Sequence, residues 1–206
     1  MIKLETLEIA GFAPAIHGMR NPKNSWNKSD SFLNKGEFFE LGDNDRKLAL
    51  QLALAGPVHA KYRRMIMVWV DITAPFYWWK EFDTYKVGTV ANSCSTMHKI
   101  HDKPFSLDDF SHEHLTGTSK NLLSDLIQTL NMYRNMFNTH KDKEYWWQLI
   151  QLLPTSYNQK RTVCLNYEVL TNIYQYRRGH KLDEWADFIE WIEFLPYSKI
   201  ITMGAK

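Results

Sequence analysis

Cysteine is almost absent from this chain of 206 residues: Cys94 and Cys164 are the only two. Far apart in sequence, they provide no disulfide framework and no metal-finger spacing. An excess of charge of one sign is also missing. A net charge of +2 excludes a generally electrostatic nucleic-acid binder, so affinity for anions has to come from a local cluster. No apolar run reaches the ~18 residues that a membrane span needs. The opening residues, MIKLETLEIAG, lack the apolar stretch of a secretory signal, and the chain reads as a reduced, cytoplasmic protein. Neither GxGxxG nor GxxxxGK followed by Ser or Thr occurs, which removes a Rossmann fingerprint and a P-loop. Internal repeats, low-complexity tracts and linkers are also missing.

What is present is ordinary in bulk and rich in rings. Hydrophobic residues make up 44% and charged residues 23%, a composition that builds a folded core. With 8 Trp, 10 Tyr and 11 Phe, there are rings enough for that core and for a pocket that stacks a planar ligand. The length suits one domain over residues 1–206.

Along the chain, KLETLEIAGFAPAI alternates like a strand and breaks at Pro14, and the polar residues 17–36 read as a loop. DNDRKLALQLALAG predicts a helix with an acidic first turn and a stop at Gly56. YRRMIMVWVDITAP is the clearest strand, and FYWWKEFDTYK a short helix with Phe76, Trp79 and Phe82 or Asp83 on its inner face. Residues 87–117 show no sustained period. SKNLLSDLIQTLNMYRNMFNTH predicts a long amphipathic helix capped at Thr118 or Ser119. KEYWWQLIQLL, YEVLTNIYQYRRG and KLDEWADFIEWIEFLP predict further helices, with an extended KRTVCLNY between the first two. The fold class is α/β in content, arranged as helix-rich α+β.

Three groups of residues have the types that chemistry needs. His98, His101, His112 and His114 could ligate a transition metal, but all four fall in irregular sequence, and surface histidines are the better reading, so no metal is assigned. Cys94, between Ser93 and Ser95, has no local feature that would depress its pKa, and packing suffices to explain it. Lys160 and Arg161, with Arg177 and Arg178 on the next helix, could fork around phosphate, or simply oppose a helix dipole.

The order of these parts resembles the flavin-dependent thymidylate synthases. That family has a strand ending in Ala-Pro, a short helix, and then a motif of the form RHRxxSxNxxSxRY. Here Ala74-Pro75 ends a strand, FYWWKEFD follows, and then TYKVGTVANSCSTMH at 84–98. LLPTSYNQKRTVCLN, EVLTNIYQYR and GHKLDEW then reproduce the family's later order. Asn92 and Ser95 keep the NxxS spacing, and Lys86 takes the place of the second motif arginine. Thr84 and Tyr85 replace the first Arg-His, and Met97-His98 the final Arg-Tyr. Met65 replaces an upstream flavin-associated histidine.

The resemblance implies a central, mostly antiparallel sheet and a homotetramer whose sites draw on several subunits. It implies Glu81, Ser95, Lys160 and Arg177 as nucleotide-binding residues, and Lys86, Asn92, Asn172 and His180 as cofactor-binding residues. Asn166 and Glu184 also match its pattern. The implied activity is transfer of a one-carbon group to C5 of a dUMP-like pyrimidine nucleotide with FAD and folate, in which the flavin carries the chemistry and no protein nucleophile is required. A hydroxymethylase is a variant of that reading. Arginine replaced by Lys loses its two-pronged fork, and replaced by Thr or Met it loses charge. These changes favour a second reading on the same scaffold, a non-catalytic protein that holds a nucleotide for regulation or sequestration.

Overall fold

A computed structural model of the chain describes residues 2–34 and 38–205. It shows the expected helix-rich α+β class with an antiparallel sheet. Strand β1 (Lys3–Ala10) leads directly into helix α1 (Phe12–Met19), where the pattern predicts strand up to a break at Pro14. Pro14 does not break this helix, because in a first turn its missing N–H has no intrahelical partner to lose. Phe12, Ala15, Ile16 and Met19 are all buried, the stripe that an amphipathic helix presents. The expected loop also contains strand β2 (Phe32–Asn34), which pairs antiparallel with β3 (Phe38–Glu40) beyond the loop, Leu33 opposite Phe39. The rest of that predicted loop, residues 35 and 36, lies outside the described residues.

Helix α2 (Asp43–Leu54) forms as predicted, and strand β4 (Met67–Pro75) buries Val68, Val70, Ile72 and Ala74 completely at a strict period of two. Helix α3 (Phe76–Phe82) buries Trp78, Trp79 and Phe82, so Trp78 rather than Phe76 completes its inner face. Strand β5 (Thr89–Ser93) sits where no period was visible. Helix α4 (Gly117–His140) has Thr116 at its N-cap position, without a side-chain cap, ahead of the expected Thr118 or Ser119. Helix α5 (Lys143–Leu152) starts at Asp142, whose side chain accepts from the Glu144 N–H at 2.9 Å. Strand β6 (Asn158–Asn166) runs into helix α6 (Tyr167–Arg177), followed by α7 (Asp183–Phe194) and a final short α8 (Lys199–Thr202). The larger sheet has the order β1-β4-β6-β5. Its central strands β4 and β6 are those with the strongest apolar pattern, and the polar, mostly exposed β5 lies at an edge.

The chain forms two compact units. One comprises Met1–Lys3, Ile72–Thr84 and Asn92–Arg161. Its core is Ile100, Phe105, Phe110, Leu123, Leu130 and Leu149, where α4 packs on α5. Here the first N–H groups of α3 have no helical partner and donate instead to Tyr157 O and Thr155 O, both at 3.1 Å.

The other unit comprises Leu4–Asp71, Tyr85–Ala91 and Thr162–Lys206. Buried ion pairs lie in it. Arg63 Nη2 meets Glu168 on α6 at 2.7 Å, and Arg63 Nη1 donates to Ile200 O on α8 at 3.4 Å. Asp45, fully buried in the first turn of α2, accepts from Arg20 Nε, the hydroxyls of Ser29 and Ser31 (both 2.7 Å), and the N–H groups of Asp30 and Ser31. Asp30 in turn caps α2 from a distance, accepting from Asn44 N and Asp45 N at 2.9 and 3.1 Å. Gly42, the N-terminal neighbour of α2, has no side chain because a Cβ there would collide with the Asp30 carboxyl group.

Burial alone would raise the Asp45 pKa. The hydrogen bonds from Ser31, Ser29, Arg20 and the Asp30 N–H outweigh it and bring the carboxyl group down to about 2. A carboxylate whose folded pKa is lowered stabilises the fold above its unfolded pKa, and that contribution fades as pH falls toward the folded value. The unfolding free-energy difference between the parent and Asp45→Asn should therefore shrink by about 2 kcal/mol between pH 6 and pH 2. Urea titrations across that range would show it, and a difference independent of pH would contradict the network.

Candidate functional site

Site residues named from the sequence fall into two groups, one in each unit. In the first unit, strand β6 turns Lys160 outward and Arg161 inward, as alternation requires. Arg161 is engaged on every side. Its Nε donates to Gln159 Oε1 at 2.9 Å, its Nη1 meets Asp83 at 2.8 Å, and its plane lies 4.1 Å from the centroid of the Trp79 ring. That leaves Lys160 as the exposed cation of the NQKRT cluster.

Two hydrogen bonds bind β6 to the opening of the next loop: Gln159 Nε2 donates to Cys94 O at 2.8 Å, and Cys94 N donates to Lys160 O at 2.9 Å. Ser95 follows at once. Its hydroxyl oxygen accepts from the N–H groups of Met97 (3.3 Å) and His98 (2.9 Å), and Trp146 Nε1 holds the Met97 carbonyl at 2.9 Å. Lys160 and Ser95 are thus held on connected backbone, with Asn92 exposed on β5 just before them. Glu81 is half-buried near the end of α3, where Thr84 Oγ1 donates to its carbonyl at 2.7 Å.

In the second unit, Arg177 closes α6. Its Nε donates to Tyr85 Oη at 3.0 Å, and its guanidinium lies 4.7 Å from the centroid of the buried Trp185 ring. His180 is next to it: its N–H donates to Arg177 O at 3.0 Å, and its Nδ1 accepts from Leu182 N at 3.2 Å. With Nδ1 an acceptor, the neutral ring carries its proton on Nε2. Tyr85, read from the sequence only as the loss of a motif histidine, is what orients Arg177. An aromatic substitution beside a cationic motif is the signal that could have shown it. Lys86 is exposed next to Tyr85. Asn172 is exposed on α6, about 140° around the helix from Arg177, so those two do not share a face.

Asn166 has a structural role. Its Oδ1 accepts from Glu168 N and Val169 N at 3.1 and 3.0 Å and caps α6. Gly88 lies against that cap with φ +80°, where a Cβ would stand 3.0 Å from Asn166 Nδ2 and 3.2 Å from Val169 Cγ2. Glu184 is buried in the first turn of α7. The histidines at 98–114 form no metal cage: among the described residues no three His, Cys, Asp or Glu side chains are grouped to hold an ion. His112 Nδ1 lies 2.8 Å from Phe110 O, and the His101 ring packs edge-on to Phe137 at 4.7 Å.

Chemically, both groups present cations beside rings and hydroxyls, an arrangement suited to an anionic, planar ligand. FAD fits less well. Segment 84–98 carries one cation, Lys86, where the resembling motif has three arginines. Beside it stand Val87 and Val90, which are 91% and 71% exposed. One ammonium would face the two charges of a flavin pyrophosphate.

The fold defines a class: it is that of the flavin-dependent thymidylate synthases. The structure of thymidylate synthase X from Helicobacter pylori with FAD and dUMP superposes with a TM-score of 0.72 at 15% identity, covering 98% of this chain and 97% of that one. A second structure of the Helicobacter pylori enzyme with the same ligands gives 0.72 at 14% identity, over 99% and 100%. The UMP/dUMP methylase PolB from Streptomyces cacaoi, bound with 5-Br dUMP, gives 0.62 at 11% identity, over 97% and 93%. No family model matches the chain, and no curated protein does.

Gly88→Ala should destabilise the protein by about 1 kcal/mol or more, because it combines a positive φ with a tight contact at the α6 cap. Chemical denaturation checks this, and an unchanged midpoint would mean that the loop does not rest on Asn166.

Proposed function

We propose that this protein binds a pyrimidine nucleotide of the dUMP type. The observation that carries the reading is near-complete correspondence, 98% of this chain, to a fold whose solved examples hold dUMP or 5-Br dUMP. Glu81, Ser95, Lys160 and Arg177 are proposed as its nucleotide-binding residues. Lys160 and Arg177 supply charge for phosphate, Ser95 and Glu81 hydrogen bonds for the base or sugar. Lys86, Asn92, Asn172 and His180 are proposed to serve a second ligand. Residues 1–206 are read as one domain, in a homotetramer whose sites draw on several subunits, and the protein as cytoplasmic. Among the described residues no helix is long and apolar enough to cross a membrane.

The single motif cation favours nucleotide binding without turnover. The FAD bound in the Helicobacter pylori structures supports the other reading, one-carbon transfer to C5 with FAD and folate. An absorbance spectrum taken after incubation with FAD and removal of excess separates the two. Retained flavin supports the transferase, and a colourless protein that binds nucleotide supports the binder.

The test of binding itself is thermal stability with dUMP. Ligand at a hundredfold excess over Kd should raise the Tm by roughly 5–10 °C. Lys160→Gln and Arg177→Lys should each abolish most of that rise while leaving the unliganded Tm within a few degrees. If both variants respond to dUMP like the parent, these residues do not hold its phosphate.

A further inference from the structure

We infer that the second unit carries a separate site for an oligophosphate anion, beside α2 and remote in sequence from every residue proposed above to hold nucleotide. An open surface depression of about 470 Å³ is lined by Arg20, Lys28, Asn44, Lys47, Leu48 and Gln51. Three of these side chains are cations, two are amides, and none is a carboxylate. Asn44, Lys47, Leu48 and Gln51 follow one another at helical spacing, so they form one stripe of α2. Polar residues along a stripe that edges a depression are there for something other than a core.

The wall opposite that stripe is held in place before any ligand arrives. Arg20 is 3% exposed, its Nε fixed by Asp45 and its Nη1 donating to Ser25 O at 3.2 Å. Lys28 ends a short 3-10 turn, Trp26–Lys28. That turn is tied on one side by Ser25 N to Arg20 O and on the other by Ser29 Oγ to Asp45. Asp45 already neutralises Arg20. Lys28 and Lys47 form no ion pair among the described residues, so their ammonium groups are the cations of this wall open to an anion. A lone chloride or sulfate concentrates its charge at one point of the depression. A chain of phosphates offers several anionic oxygens spread over the depression, and ammonium groups and amide N–H groups both donate to them.

The inference rests on no part of the nucleotide reading. Isothermal titration calorimetry with sodium tripolyphosphate, against sodium sulfate at matched ionic strength, tests it on the full chain. The parent should bind tripolyphosphate more tightly than sulfate, and Lys28→Gln/Lys47→Gln should weaken that binding by roughly tenfold or more. The double variant changes two exposed side chains, so circular dichroism should show it folded and its response to dUMP should match the parent's. Equal affinity for tripolyphosphate and sulfate overturns the site. So does undiminished binding by the double variant, which would move the phosphates to another surface. Loss of the dUMP response in the parent, with tripolyphosphate binding intact, would fail the nucleotide reading alone.

Discussion

A single buried carboxylate organises much of the second unit. Asp45 has no contact with water, and a charge in that position is tolerated only when donors surround it. Five groups do so, and they come from α1's end and from the loop before the hairpin. Meeting that one charge therefore brings together stretches of chain with little apolar pattern of their own. The same closure places Asp30 over the start of α2, supplying a cap that Gly42 lacks. Removing the carboxylate would leave Arg20 buried without its counter-ion and leave the polar loop held chiefly by the Asp30 cap of α2.

The candidate nucleotide residues depend on a similar economy of contacts. Arg161 and Arg177 are both packed on tryptophan rings, and both use a nitrogen to fix a neighbour. Arg161 is consumed by this work and holds β6 and α3 in place. Arg177 is oriented by it, since a guanidinium stacked on Trp185 and tethered to Tyr85 loses little further freedom on meeting a ligand. Cationic side chains of the same type thus take different roles, decided by which face of the strand or helix carries them.

How much of this was readable in the sequence varies by element. Strand β4 announced itself as a β-branched, Met-rich apolar run that ends at Pro75. The helices α2 and α4 to α7 have an apolar repeat long enough to see. Helix α1 was hidden because Pro14 stands in its first turn, where proline is harmless, and strand β5 because its side chains are mostly exposed and carry no pattern. The fold's likeness to the flavin-dependent thymidylate synthases was legible in the order of parts. The supporting contacts were not. The pairing of Tyr85 with Arg177, the rest of Gly88 on Asn166, and the Asp45 network join residues distant in sequence, which no local pattern records.

Ser95 has one more consequence. A serine hydroxyl has two lone pairs and one proton. Both lone pairs are taken, by the N–H groups of Met97 and His98. What remains is the proton alone, so this side chain is directional: it can give a hydrogen bond outward but has nothing left with which to receive one. An N–H of a neighbouring molecule is therefore no match for it, whereas a carbonyl, hydroxyl or phosphate oxygen is. The backbone of a short loop has in this way already chosen the polarity of the atom that Ser95 can address.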